Sequence, residues 1–118
     1  MTPRAPRLVV RKRHKYNVAP KADRMVDGVV FDSKAEATRY RELQLMERAN
    51  EITSLECQYK FSYWYKDVKV FTYIADFVYR HIKSRQVVIE DVKGVRTPIY
   101  RLKKKLIELQ YGFTITEI

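Results

Sequence analysis

Residues 73–94 decide the fold of this chain, and they read YIADFVYRHIKSRQVVIEDVKG. Two runs of β-branched and aromatic residues flank a short polar link, a pattern that predicts two strands paired as a hairpin. Asp76 interrupts the first run and Asp91 lies near the end of the second, so the pairing could place them side by side. Because side chains alternate along a strand, Asp91 and Lys93 share one face and Glu90 points to the other.

The rest of the sequence predicts a single domain of helices and strands. Asp27-Gly28 between valines is typical of a type I′ turn. Thr97 and Pro98 suit the N-cap and first position of a helix, and Gly112 suits its end. In chain order, the predicted elements are a hairpin at 26–31, a helix at 34–49, strands at 52–65, 68–79 and 86–92, a helix between Thr97 and Gly112, and a strand at 113–118.

Composition indicates an intracellular protein with a polyanionic partner. The chain has 118 residues and a net charge of +10, from 24 Lys and Arg against 14 Asp and Glu. A surplus this large in a chain of this length indicates a partner such as nucleic acid. The one cysteine fits a reducing compartment, and no apolar run approaches the ~18 residues that span a bilayer. We therefore expect a cytoplasmic protein with no membrane partner.

Most of the charge surplus lies in residues 1–24, which hold eight basic side chains and one acidic side chain. Three prolines and the lack of a sustained period predict a flexible basic arm, with 25–118 as the folded domain. The arm either contacts nucleic-acid phosphates or is a solvated tail that aids solubility. Nucleic acid is favoured by a dense run of cations: Arg11, Lys12, Arg13 and Lys15.

The predicted strand pair suggests a metal site. Two carboxylates as close as Asp76 and Asp91 repel each other unless a cation lies between them, and Mg²⁺ prefers oxygen ligands. A lysine beside the metal, here Lys93, could position a water or stabilise a phosphate. Alternatively, Asp91 and Lys93 form a surface pair of little energetic value, and Asp76 is a solvated carboxylate at a strand end.

Glu36 has two competing interpretations. Ser33-Lys34-Ala35-Glu36 forms a capping box, in which Glu36 only stabilises the helix start. Glu36 also shares a helical stripe with Tyr40 and Leu43, which predicts that it faces the sheet and could join the aspartates. The pattern alone leaves both roles open.

Three motifs taken together resemble the PD-(D/E)xK nuclease superfamily, and in particular small phage-encoded nuclease-like proteins. The motifs are FDSKAE at 31–36, YIADF at 73–77 and EDVKG at 90–94. The resemblance implies an α/β fold with a restriction-endonuclease-like core of order α-β-β-β-α-β, a mixed central sheet flanked by helices, preceded here by the small hairpin. One departure is Ile74-Ala75, where the superfamily's name places a proline before the aspartate.

The same resemblance implies the chemistry of the site. Asp76 and Asp91 would bind Mg²⁺ (with Mn²⁺ as a substitute), aided by the Val92 carbonyl, and Glu36 would complete the metal shell. Lys93 would activate or position the attacking water. The implied reaction is phosphodiester hydrolysis that leaves a 5′-phosphate.

The second predicted helix supplies further cations. Its apolar residues are expected to form a buried stripe, so that most of its cations face outward toward DNA phosphates; an ordinary solvated face is the alternative. The expected buried stripe is Ile99, Leu102, Leu106 and Leu109. With the upstream arginine included, the predicted phosphate contacts are Arg96, Lys103 and Lys104.

These observations lead to an expected function and a competing one. We expect a Mg²⁺-dependent endonuclease for branched DNA such as a Holliday junction, active in phage DNA recombination or processing. The alternative is a non-catalytic nucleic-acid-binding protein with a nuclease-like fold. A homodimer is expected because two symmetric nicks need two sites. Its candidate interface is the aromatic-rich stretch at 59–73, unless the protein's own helices and arm cover it.

Overall fold

The fold centres on a four-stranded mixed sheet, preceded by a small antiparallel hairpin. The structure is a computed structural model that describes residues 19–92 and 95–118. A 3-10 helix at Lys21–Arg24 comes first among the described elements. The others are β1 (Met25–Val26), β2 (Val29–Val30), α1 (Lys34–Arg48), β3 (Ile52–Tyr65), β4 (Val68–His81), β5 (Val87–Asp91), α2 (Pro98–Tyr111) and β6 (Ile115–Glu117).

Local sequence signals explain where these elements begin and end. Asp27 and Gly28 both have positive φ, 51° and 80°, as the predicted type I′ turn requires. The Ser33 hydroxyl accepts the Glu36 N–H at 3.1 Å, which caps α1. At the other helix, the Thr97 hydroxyl caps the first turn and Gly112 ends α2 in the left-handed conformation. These predictions are confirmed.

The sheet has the strand order β3-β4-β5-β6, and only the β5–β6 pair is parallel. Strands β3 and β4 are both 14 residues long, whereas β5 pairs with β4 only from Phe77 to Arg80. The outer half of the β3–β4 hairpin is therefore a two-stranded ribbon. β4 runs two residues beyond its predicted end because Arg80 and His81 pair with β3.

The two helices cover opposite faces of the sheet. Val88 packs against the cluster that contains Leu43 of α1, and its neighbour Ile89 belongs to the cluster that contains Ile107 of α2. Neighbouring residues of a strand point to opposite faces, so the core is split into two layers. α1 buries its predicted stripe, because Leu43 is fully buried and Tyr40 packs near Phe77.

α2 is rotated relative to the prediction. Ile99, Leu102 and Leu109 are each more than half exposed, and Leu106 is half-buried. Ile107 is the buried residue instead. The predicted core stripe is therefore wrong. The helix uses the face of Ile107 and Tyr100 to contact the sheet and leaves its leucine face in solvent.

The end of the predicted basic arm is folded. Residues Lys21–Arg24 form the 3-10 helix, and the Arg24 guanidinium donates to the carbonyls of Ala19 and Phe31 at 2.7 and 2.9 Å. The bond to Phe31 attaches the segment to the residue that follows β2. Within the part of the chain that the structure describes, neither helix is long and apolar enough to cross a membrane.

Candidate functional site

Asp76 and Asp91 meet where the β4–β5 ladder ends. The last residues paired in this ladder are Phe77 and Glu90, so Asp76 and Asp91 are the next two residues in the same register. They are only 4% and 0% exposed. The Asp76 Oδ2 accepts the backbone N–H of Val92 at 2.8 Å. Two buried carboxylates thus lie where the ladder ends, and Asp76 is bonded to the residue that follows Asp91.

Tyrosines surround Asp91 on the α2 side of the sheet. The Tyr73 hydroxyl donates a hydrogen bond to Asp91 Oδ2. Burial raises the pKa of Tyr100, and the hydrogen bond that its hydroxyl donates to Glu117 at 2.8 Å and the charge of Asp91 add to this increase. The Asp91 backbone is fixed as well, because its carbonyl accepts the N–H of Ile118 at 2.9 Å.

Glu36 lies buried in the first turn of α1, facing the sheet as its helical stripe predicts. The nearby Cys57 thiol responds to the charges of both Glu36 and Asp76. Its pKa is raised from 9.0 to about 12. Burial is the largest cause, followed by the negative charges of Asp76 and Glu36. Both carboxylates are therefore close enough to the Cys57 thiol to act on it electrostatically.

The carboxylates can be tested for their fit to a metal. Among residues 19–92 and 95–118, no three Asp, Glu, His or Cys side chains are arranged to hold a metal ion together. Asp76 and Asp91 nevertheless supply the hard oxygen ligands that suit Mg²⁺, an ion that keeps several waters and commonly uses only one or two carboxylates. The Val92 carbonyl follows directly in the chain. The donor set fits Mg²⁺, and the participation of Glu36 stays a prediction.

Gln58 is a site residue that the sequence did not reveal. It occupies the β3 position opposite Asp76, because its two neighbours pair with the two neighbours of Asp76. Gln58 is buried, and its φ is 54°, an unusual conformation for a non-glycine residue. Gln58 thus lies on the strand next to the one that carries Asp76, between residues that pair with the neighbours of Asp76. A left-handed residue inside a strand cannot be recognised from residue type alone.

Glu90 forms a second buried network on the opposite face. The Arg39 guanidinium of α1 binds both Glu90 carboxylate oxygens, at 2.9 and 2.6 Å, and the Tyr79 hydroxyl also donates to Glu90. The hydrogen bond to Glu90 is the largest cause of a raised pKa for Arg39. Burial, and then the bond to Glu90, raise the pKa of Tyr79 to about 12. This network connects α1, which carries Glu36, to β5, which carries Asp91.

A basic cavity lies beside Asp91. Glu117 pairs with Asp91 in the β5–β6 register and accepts hydrogen bonds from Tyr100 and, at 2.8 Å, from Arg96. These bonds lower the pKa of Glu117, that from Tyr100 most. The cavity has a volume of about 240 Å³, and four cations and two anions line it: Arg96, Arg101, Lys104, Lys105, Glu108 and Glu117.

Two of the predicted phosphate contacts, Lys103 and Lys104, are less exposed than the sequence predicts. Lys104 forms an ion pair with Glu108 at 2.8 Å, and the Lys103 ammonium lies 5.4 Å from the centroid of the Phe71 ring. Both lysines are half-buried. Arg101 and Lys105 are exposed, so two of the four α2 cations face solvent, and the phosphate contacts of Lys103 and Lys104 stay predictions.

Several predicted site residues lie outside the described residues. They are Lys93 of the third motif and the arm cations Arg11, Lys12, Arg13 and Lys15. Their roles stay predictions from the sequence.

A second cavity, of about 420 Å³, is distinct from the aspartates. Its lining is mainly aromatic and aliphatic: Ser54, Glu56, Tyr59, Phe61, Val78, Tyr79, Arg80, Val87, Ile89 and Phe113. Glu36, Asp76 and Asp91 are not among the residues that line it. The candidate site is therefore defined by its carboxylates and the basic cavity.

Together these features define a small mixed α/β protein with buried aspartates at a strand end and a basic cavity beside them. The chain belongs to the family described as Protein of unknown function (DUF1064), which it matches over residues 13–116. A search of curated proteins and a search of solved structures each found no match.

Proposed function

We propose that this chain is a Mg²⁺-dependent DNA endonuclease with a core of the PD-(D/E)xK type, and that Mn²⁺ can replace Mg²⁺. The observation that carries the proposal is that Asp76 and Asp91 are both buried one residue beyond the last pair of the β4–β5 ladder, with Asp76 bonded to the N–H of Val92. Two buried carboxylates in this position are costly unless a cation compensates their charge. A metal-dependent reaction gives this arrangement a use that a purely structural role does not.

Each residue of the site has a proposed task. Asp76 and Asp91 would hold the cation, with the Val92 carbonyl as a further oxygen ligand. Glu36, on the helix that covers the opposite face from the tyrosines around Asp91, is a further proposed ligand. A bound Mg²⁺ would polarise the phosphodiester and lower the pKa of a water. Lys93, two residues after Asp91 in the sequence, would position that water or stabilise negative charge on the phosphate.

Neighbouring groups keep the aspartates in place. The hydrogen bond from Val92 N–H to Asp76 fixes the backbone next to the proposed carbonyl ligand. Tyr73 donates to one oxygen of Asp91 and thereby orients its carboxylate. Such supporting hydrogen bonds define ligand direction and are often needed for full metal affinity.

DNA binding is proposed to involve two basic regions. The cavity lined by Arg96, Arg101 and Lys105 lies next to Asp91 in the sheet, where it would receive phosphates near the cleaved bond. The basic arm at 1–24 would add contacts to the backbone that do not depend on sequence. No base-reading motif is apparent in the sequence, so recognition of DNA shape is favoured over recognition of sequence.

We also propose that the protein is a homodimer that acts on branched DNA in the cytoplasm, in phage recombination or DNA processing. The exposed face of α2 supports a dimer, because Ile99, Leu102, Leu106 and Leu109 follow the three-four-three spacing of a helix–helix seam. An exposed aliphatic stripe of this kind commonly marks an interaction surface. A two-fold dimer would present two sites to a two-fold substrate such as a Holliday junction.

The test is cleavage of end-labelled DNA with Mg²⁺, with Mn²⁺ and with EDTA. We expect cleavage with either metal and none with EDTA, products that carry a 5′-phosphate, and faster cleavage of a four-way junction than of a linear duplex. DNA binding without cleavage under every condition would contradict the proposal and support a non-catalytic nucleic-acid-binding protein.

A further inference from the structure

The tip of the β3–β4 hairpin exposes two aromatic rings that the candidate site does not use. Trp64 is 44% exposed and Tyr65 is 61% exposed, next to the turn at Lys66 and Asp67. Because β5 contacts only the inner part of β4, this tip extends beyond the four-stranded part of the sheet. The aromatic strand predicted as a dimer interface is thus divided: Phe61, farther from the turn, packs against rings at the end of α2.

The backbone of Trp64 is fixed although its ring is exposed. The Gln110 side chain of α2 accepts the Trp64 N–H and donates to the Trp64 carbonyl, both at 2.8 Å. The pairing shifts between Tyr63 and Trp64, and the Tyr111 hydroxyl donates to the Ser62 carbonyl at 2.7 Å beside this bulge. An exposed ring on a backbone held this firmly costs little entropy when it binds a partner.

The charge around the two rings identifies the kind of partner. Lys69 pairs with Trp64 across the hairpin, and the Lys66 ammonium lies 5.4 Å from the centroid of the Tyr65 ring. Asp67 is the one acidic residue of the turn. Flat rings beside ammonium groups suit nucleic acid, because a base can stack on the ring while a phosphate contacts the cation.

We propose that Trp64 forms a stacking platform for an unpaired base of the DNA substrate, with Lys69, its partner across the hairpin on the same face, at the adjoining phosphate. The inference rests on the proposed function, since it assigns part of the preference for branched DNA to this hairpin. Lys69 precedes Asp76 by seven residues of β4, a distance of about 23 Å at roughly 3.3 Å per residue. Duplex DNA rises about 3.4 Å per base pair, so the platform contacts unpaired bases about seven nucleotides from the cleaved bond.

Trp64 is the only tryptophan of the chain, so its fluorescence reports on this platform alone. In EDTA, a twelve-nucleotide thymidine strand is added to the wild-type protein, and a blunt duplex with the same number of phosphates serves as the comparison. We expect saturable quenching by the single strand and much weaker quenching by the duplex. Equal quenching by both, or none, would overturn the proposal. Trp64 emission that changes with protein concentration but not with added DNA would also overturn the proposal, because it would show that the hairpin tip contacts a second copy of the protein.

Substitutions separate this platform from the cleavage site. Trp64→Ala should bind the thymidine strand about 10-fold more weakly, whereas Trp64→Phe retains a ring and should lose much less. Val70→Ala removes another exposed apolar side chain of the hairpin and should leave affinity unchanged. With Mg²⁺, Trp64→Ala should still cut linear duplex at the wild-type rate and lose its preference for DNA with a single-stranded branch. An unchanged affinity in Trp64→Ala would contradict the platform, while failure of the wild type to cut any DNA would contradict only the proposed nuclease.

Discussion

The carboxylate of Asp76 accepts a hydrogen bond from the backbone N–H of Val92, at 2.8 Å, immediately after β5 ends at Asp91. A side-chain oxygen here takes the place that a backbone carbonyl occupies within a ladder. The strand pairing therefore ends where the carboxylates begin. Asp76 both holds this segment and supplies a proposed metal ligand, so Asp76→Asn is a sharper probe than Asp76→Ala, because asparagine keeps an acceptor oxygen.

Cys57 offers a measure of the site that does not depend on activity. Its pKa of about 12 is raised first by burial and then by the charges of Asp76 and Glu36. Asp76→Asn and Glu36→Gln should each lower this pKa, and Mg²⁺ should lower it in the wild type, because each neutralises negative charge near the thiol. The measurement is the pH dependence of alkylation at this single cysteine. Asp67→Asn, in the hairpin turn, is the matched control and should change nothing. A Cys57 pKa that is unchanged in both variants would show that the two carboxylates do not lie near the thiol.

The same thiol makes stability depend on alkaline pH. Its pKa is higher in the folded protein than the ordinary value of 9.0. The unfolded chain therefore loses the thiol proton at lower pH than the folded protein does. This contribution to stability is fully present below about pH 9 and is lost as the pH rises from there toward about 12. Cys57→Ala should show a smaller decline in the free energy of unfolding over that window, and an identical decline would contradict the assignment.

Arg39 is expected to be important for stability although it lies outside the proposed cleavage site. Arg39→Ala leaves the buried Glu90 without its bidentate partner, and we expect a loss of about 3 kcal/mol in the free energy of unfolding. Arg96→Ala is the control, because it removes an exposed ion pair with Glu117 and should cost less than about 1 kcal/mol. Urea denaturation measures both. Similar small losses in the two variants would mean that the Glu90 network contributes little.

Local sequence signals were sufficient to predict the hairpin turn and the starts of both helices. Turn and cap residues such as Asp27-Gly28, Ser33 and Thr97 act within a few positions of themselves, so they located the hairpin and helix starts correctly. The short link between β4 and β5 restricts the possible register and predicted their antiparallel pairing, which the structure shows from Phe77 to Arg80, whereas the placement of Asp76 beside Asp91 stays a prediction. These features depend on residues that are close together in the chain, so the sequence alone can predict them.

Features that depend on contacts between distant parts of the chain could not be predicted from the sequence. The leucines of α2 have the spacing of a core stripe, yet the helix buries Ile107. Glu108, next to Ile107, accepts hydrogen bonds from Lys104 and from the Ile115 N–H of β6, contacts that no sequence pattern reveals. Gln58 enters the site only through its unusual backbone conformation and its pairing opposite Asp76. Arg39 and Glu90 are 51 residues apart in the chain, and no sequence pattern links them.

The exposed aliphatic face of α2 leads us to expect a dimer that a single substitution on this face disrupts. Leu102→Glu places a charge in the proposed seam and should convert a dimer into a monomer in light scattering at micromolar concentration. Leu45→Glu changes a similarly exposed leucine on α1 and should leave the dimer intact. A wild-type protein that is already monomeric would contradict the proposed dimer while leaving the nuclease proposal standing.

Glu36→Gln separates a helix cap from a metal ligand. Glutamine retains the hydrogen bonding of a capping box but lacks the negative charge, so the melting temperature should stay close to that of the wild type while Mg²⁺-dependent cleavage falls strongly. Glu47→Gln, an exposed acid on the same helix, should alter neither property. Full activity in Glu36→Gln would assign Glu36 to the cap alone.

Cleavage of labelled DNA by Asp76→Asn tests whether Asp76 and Asp91 form the cleavage site. Asp67→Asn makes the same chemical change at the hairpin turn and serves as the control. We expect Mg²⁺-dependent cleavage by the wild type and by Asp67→Asn, and a rate at least about 100-fold lower in Asp76→Asn, since losing a metal ligand should cost no less than losing a supporting residue. Asp76→Asn protein that is folded and cuts DNA as fast as the wild type would contradict the proposed cleavage site.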